Sequence, residues 1–468
     1  MINLKLLPFL LLPIISIHSF AQKQLLLKSN SPTLDIRDGN NLRKGRWSID
    51  PKTKPDIYEA FIDKKSKRVT FISDIDSISF KVKAGKKYPF LVILNKKDTA
   101  YTQINGIKDI PAAKFRKRYI TSHNGKSFVE IPPIYELFNI VVALTNNAKK
   151  DEGLVVKHTP YYQDLLLWFD KYKDEPIVKR IDSALSKNLM GFVSLKMDAY
   201  AFDLSTNGKI VESKIYNRIN SGRFNTLKPY IEALQSFADK SKFQDFYKNN
   251  SRFYSHQLKT YKDSIDLQEM QKWLTQNFPT TRYNSFKVIF SPLVGNIQSA
   301  IWFENNGFKE AQAHVNFPYR DSNDEKEFSS KALNLKEGNI LFTELNHSFI
   351  NPEAEKPHYQ KAITNAFSDM TSWNEKGKPA ALYYNTPYTC FNEYMNWGLV
   401  SLRYVDYAPA IEQEKLIAVV EKKQIEARGF KKFGIFNQYL IQIYKTREKG
   451  QTIADLYPLI IKWFEENK

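Results

Sequence analysis

Between Trp47 and about Gln103, apolar positions recur with a period of two. Ile78, Phe80 and Val82 alternate with Ser77, Ser79, Lys81 and Lys83. Phe90, Val92 and Leu94 repeat the pattern within Tyr88–Asn95, and Ile57–Ile62 and Val69–Ser73 read as further strands. Lysine-rich turns at Asp63–Lys67 and Ala84–Lys87 punctuate them. The pattern predicts a small antiparallel β domain of five or six strands. Residues 22–44 are polar and weakly patterned. Beyond the connector at 104–130 the apolar spacing becomes helical. Helices are expected over Ile131–Leu144, Tyr161–Tyr172, Pro176–Leu189, Thr226–Lys240 and Asp263–Gln276. Two strands, Phe286–Ser291 and Gln298–Phe303, lead into Asn305-Asn306-Gly307, a hairpin signal, and a return strand Ala311–Phe317. The C-terminal part is helical again, over Ile411–Ala427, Phe436–Thr446 and Ile453–Glu466. The fold class is therefore α+β: a β domain at 22–105, then a larger helix-rich α+β domain at 106–468.

Composition supports a folded chain with a large core: 468 residues, 42% apolar and 14% aromatic. The net charge of +19 comes from 69 Lys and Arg against 50 Asp and Glu, spread along the chain without a long basic block. With no nucleic-acid motif, this predicts a solvated basic surface and no nucleic-acid partner. Residues 1–21 read as a signal peptide: Lys5, an apolar run Leu6–Ile17, and Ser19-Phe20-Ala21 before the cut. Export to the periplasm, the cell surface or the medium is expected, with no transmembrane segment in the mature chain. Cys390 is the only cysteine, so no internal disulfide forms. Its apolar flanks predict a buried structural thiol.

The candidate chemistry lies in Leu341–Pro352, LFTELNHSFINP. As a helix, opened by Gly338-Asn339 and closed by Asn351-Pro352, it carries Thr343, Glu344 and His347 on one face. Phe342, Leu345 and Phe349 lie on another. The E-x-x-H spacing is that of the zinc-peptidase signature H-E-x-x-H, with Thr343 where the first His would stand. Downstream, Thr386-Pro387 is a capping pair for a helix over Tyr388–Tyr404. There Glu393 sits among Phe391, Tyr394, Met395 and Trp397, either in a salt bridge, with Arg403 or another cation, or as a metal ligand. His314 alternates with the apolar residues of its strand, so it faces either solvent or a cleft where it reaches a metal or substrate. No G-x-S-x-G elbow, P-loop or G-x-G-x-x-G is present.

A strand pair, an E-x-x-H helix and a second helix bearing Glu resemble the layout of the gluzincin metallopeptidases. The strings TELNHSFINP and FNEYMNW also resemble the secreted bacterial family known as domain of unknown function 4932, over Pro132–Lys468. The resemblance implies a zincin-like domain in which Glu344 is the general base and His347 and Glu393 bind Zn. Two functions follow as expectations. One is an exported metal-dependent hydrolase acting on a peptide or protein substrate. The other is a non-catalytic, degenerate peptidase-like protein that binds a peptide, glycan or protein. Thr343 leaves the zinc one ligand short: His314 or Glu344 completes the site, the metal is not zinc, or the site is a relic.

Overall fold

The computed structural model describes residues 25–39 and 41–468; the expected signal peptide lies outside them. The chain divides into two compact units, Met1–Ile110 and Pro111–Lys468.

The first unit is a sandwich of two four-stranded sheets. Its strands are β1 (Leu26–Ser29), β2 (Thr33–Asp38), β3 (Asn41–Ser48), β4 (Asp56–Ile62), β5 (Lys67–Ile72), β6 (Ser77–Val82), β7 (Lys87–Leu94) and β8 (Asp98–Lys108). One sheet runs β1-β7-β8-β4, the other β3-β2-β5-β6. The alternation places Val69, Phe71, Phe80, Val82, Phe90 and Val92 in one core. One expectation is corrected: the weakly patterned stretch 22–44 supplies β1, β2 and part of β3, because Leu27, Leu34 and Ile36 each bury fully despite polar neighbours. The unit is rich in antiparallel pairs as expected, with two parallel ones, β1 with β7 and β4 with β8.

The second unit is built around a four-stranded sheet, β13-β14-β12-β9, flanked by helices. Its strands are β9 (Lys126–Glu130), β12 (Ser285–Ser291), β13 (Ser299–Asn305) and β14 (Phe308–Asn316); β10 (Phe202–Leu204) and β11 (Ile210–Glu212) form a separate small hairpin. β9, β12 and β14 are parallel, and β13 runs antiparallel along the outside of β14. Asn306 and Gly307 turn β13 into β14 with φ of +54° and +71°. This left-handed pair gives a two-residue hairpin its compatible twist.

One face of this sheet receives the helix Asn339–Ala354, hereafter the site helix. Phe286 of β12, in register with Ala311 of β14, stacks 6.3 Å from Phe349 of that helix. Lys287, Glu310, Gln312 and His314 therefore point to the opposite face. The helix Pro387–Tyr407, hereafter the second helix, is buried over most of its length against the site helix. Among the described residues no helix is long and apolar enough to cross a membrane.

Candidate functional site

The site helix begins at Asn339 as its sequence suggests, but it does not stop at Asn351-Pro352: it continues to Ala354 with Pro352 inside it. A proline there removes the N–H that would bond to the carbonyl four residues back. That carbonyl, on Ser348, instead accepts from the Tyr283 hydroxyl at 2.7 Å. The helix thus passes its proline with no orphaned acceptor. The second helix starts where the capping pair places it. Thr386 and Thr389 form a reciprocal capping box around Pro387.

Where the two helices meet, His347 and Glu393 face each other, with Nε2 and Oε2 3.8 Å apart. Each is already engaged. His347 Nδ1 lies 3.3 Å from Asn351 Oδ1, and the Asn396 amide nitrogen lies 3.1 Å from His347 Nε2. Both ring nitrogens of His347 are thus engaged by side-chain amides. Glu393, 4% exposed, accepts at Oε1 from Arg428 Nη1 at 2.6 Å and from Trp397 Nε1 at 2.9 Å. Burial alone would raise its carboxyl; the Arg428 charge, then His347 and the two hydrogen bonds, hold it below the usual carboxylate range.

Arg428 is the residue sequence reasoning missed. Its position depends on an irregularity: the helix Ala410–Lys422 loosens into a π turn at Lys423–Ala427, and Gly429 follows with φ +83°. This swings the guanidinium inward, onto Gln424 Oε1 at 3.0 Å and over the Tyr384 and Phe430 rings. The salt-bridge alternative for Glu393 is therefore realised, but with Arg428. Arg403 instead pairs with Glu269 at 3.2 Å.

Glu344 differs from its neighbours. Half-buried, it makes no hydrogen bond or ion pair among the described residues. Burial pushes its carboxyl up to about 7; His347 opposes the shift and the Glu393 charge adds to it. Lys196, fully buried with Nζ on the Ile297 carbonyl at 2.5 Å, is pushed down to about 7 by burial. Thr343 turns back on its own helix and donates to the Ile340 carbonyl at 2.8 Å.

His314 belongs to neither of the surroundings expected for it. The alternation is as read, but the face is covered, and His314 is fully buried against Tyr135 and Tyr200. It lies on the side of the sheet away from the site helix, with Nε2 3.3 Å from Gln312 Oε1. Cys390 is buried, and burial raises its thiol.

These residues do not fit a catalytic zinc. Zinc needs three protein ligands about 2 Å away and an open position. Thr343 offers no nitrogen, His347 Nε2 is engaged by Asn396, and Glu393 keeps only Oε2. Among the described residues no three His, Cys, Asp or Glu side chains lie close enough to hold a metal ion. The cation of this site is Arg428.

An outer strand borders the same region. A cavity of about 550 Å³ runs along β13, lined by Ser299–Phe303 and by Asn351, the residue that orients His347. Ser299 Oγ is buried there without a partner among the described residues.

The fold and site define an α+β protein with a buried ionic cluster between two helices beneath a sheet. The chain belongs to the family described as Domain of unknown function (DUF4932), which matches residues 128–463. Neither a curated protein nor a solved structure matches it.

Proposed function

We propose that this chain is an exported, non-catalytic protein of peptidase-like design that binds an extended peptide or protein segment along β13. The single observation carrying the reading is the closed His347–Glu393–Arg428 arrangement: both His347 nitrogens and Glu393 Oε1 are already committed within the protein, which leaves a metal only Glu393 Oε2 and the Glu344 carboxyl. The binding half rests on the outer position of β13, whose unpaired backbone edge offers hydrogen bonds to an added strand, beside a cavity with an unpartnered serine. The apolar leader at residues 1–21 supports export.

The test joins metal analysis to amide exchange. The purified chain, incubated with zinc and desalted, is expected to retain no stoichiometric metal and to leave denatured casein uncut. Casein-derived peptides are expected to slow exchange of the β13 amides. Stoichiometric zinc together with cleavage overturns the reading.

One observation favours a second reading, hydrolysis of peptides with Glu344 as general base. Its carboxyl, pushed up to about 7 and free of partners, is poised to take a proton from water near neutral pH. Casein cleavage that disappears in Glu344→Gln would establish it.

A further inference from the structure

The outer surface of the sheet β3-β2-β5-β6 carries charge that its own residues do not answer. Ile36, Val69, Phe71, Phe80 and Val82 turn into the sandwich core. Their neighbours Arg37, Arg68, Thr70, Ser79 and Lys81 therefore turn outward. Arg68 stands directly opposite Lys81. Arg37 stands opposite Thr70, one diagonal step from Arg68. All three cations are exposed, and none of their side chains makes an ion pair or hydrogen bond among the described residues. Lys67, on the inner side of the same strand, is instead bridged to Asp38 at 3.0 Å. Asp35, the one acid at the outward positions of β2, β5 and β6, accepts from the Gly45 N–H at 2.6 Å. The charge continues past the strands. Lys64 and Lys65 in the turn before β5 and Lys83 just after β6 are exposed at one end of the sheet, and Asp63 is the one acid of those two turns.

A second observation points to a ligand. Like charges directly opposite each other on neighbouring strands destabilise a sheet. Arg68 and Lys81 stand together at a cost to folding, which an anion laid over them removes. Thr70 and Ser79, hydrogen-bonded to each other at 2.8 Å, fill the next cross-strand position and set hydroxyls beside the cations. The outward positions of β2, β5 and β6 hold no aromatic ring on which a nucleic-acid base could stack. Ile72 is their one large apolar residue, too little to anchor in a bilayer.

We propose that this surface binds an anionic polysaccharide, a chain of sugars bearing carboxylate or sulfate groups. The Arg37 and Arg68 guanidinium forks take acid groups, with Lys81 beside them. Thr70 and Ser79 meet sugar hydroxyls. The surface acts apart from β13 and from Glu344.

The test uses the full chain, with dextran sulfate and uncharged dextran as probes in titration calorimetry. Dextran sulfate is expected to bind saturably, more weakly as salt rises, and dextran is expected not to bind. Arg68→Gln with Lys81→Gln is expected to weaken binding about tenfold. Lys96→Gln with Lys97→Gln removes the same charge from the exposed turn between β7 and β8, at the other end of the sandwich, and is expected to leave binding unchanged. Lys81→Glu gives Arg68 an opposite charge, so it is expected to raise the melting temperature while losing most of the binding. Equal losses in the two glutamine pairs overturn the proposal, because net charge alone then governs binding. Binding that survives Lys81→Glu, or that never saturates, overturns it too. So does tighter binding to duplex DNA, polyglutamate or phosphatidylglycerol vesicles than to dextran sulfate at the same salt, which makes another polyanion the occupant.

Discussion

The large unit buries charge in two places, on the two sides of its sheet, and treats it differently. On the far face Glu310, fully buried, accepts from the Tyr119 hydroxyl at 2.6 Å, from the Tyr216 hydroxyl and from Gln312 Nε2 at 2.8 Å. Nearby, Lys287 donates to Tyr200 at 2.8 Å, Tyr200 donates to Glu130 at 2.8 Å, and four rings surround the ammonium. Every charge there has partners, so the cluster is a polar core layer. Between the helices, Glu393 and Arg428 satisfy each other in the same manner, but Glu344 beside them does not. A carboxylate left unpaired in a half-buried position works against stability. The comparison therefore separates structural charge from charge kept for a ligand, and it isolates Glu344 within its own cluster.

The largest effect should come from breaking a closed pair. Arg428→Met leaves Glu393 buried and charged, at an expected cost of about 3–5 kcal/mol in chemical denaturation. Adding Glu393→Gln should recover much of that loss, because the orphaned charge is then gone. If the double variant is as unstable as the single, Arg428 acts through packing on Tyr384 and Phe430 instead. On the far face, Glu310→Leu removes the acceptor of the paired Tyr119 and Tyr216 hydroxyls and of the Gln312 amide, and should cost about 2–4 kcal/mol. It should leave peptide protection of β13 unchanged; a loss of that protection would erase the distinction between the clusters.

Glu344 should move in the opposite direction. Its folded carboxyl titrates at about 7, above the ordinary 4.5. Between those values the folded chain keeps a proton that the unfolded chain has lost, so stability falls as pH rises through this window. Glutamine does not titrate. Glu344→Gln is therefore expected to be more stable than the wild type by about 1–3 kcal/mol above pH 7, with the gain vanishing near pH 4. Denaturation midpoints across that range check it. A variant less stable than wild type at every pH would mean that Glu344 is a satisfied structural residue.

What the sequence made legible was local. Thr386-Pro387 announced a helix start, Asn306-Gly307 a hairpin, and E-x-x-H a shared helix face, because each signal acts within a few residues. The alternation around His314 was legible too, but its environment was not, since Tyr135 and Tyr200 arrive from distant helices to cover that face. Arg428 was hidden for a different reason. It reaches Glu393 across 35 residues through a π turn, which breaks the 3.6-residue period that pattern reading depends on. Gly429 was the available hint that the chain leaves the helix there. In 22–44 the alternation Leu34, Ile36 was present but sat among too many charges to stand out.

The smallest effect on stability, and the sharpest test of how this site fits zinc, comes from supplying the histidine that the E-x-x-H spacing lacks. Thr343 lies one residue before Glu344 and gives up only a hydrogen bond to its own helix, so Thr343→His should cost no more than about 1 kcal/mol. Spacing alone suggests that the new imidazole would recruit zinc beside His347. The geometry predicts otherwise: Asn396 still occupies His347 Nε2, and Arg428 still places a positive charge on Glu393 where a dication would have to approach. The single variant should therefore bind no stoichiometric zinc by calorimetry. Combining it with Asn396→Ala frees that nitrogen, completes two histidines and Glu393 Oε2, and should produce measurable binding. If Thr343→His alone binds zinc tightly, the Asn396 and Arg428 contacts yield to a metal, and the residue at position 343 alone limits the fit.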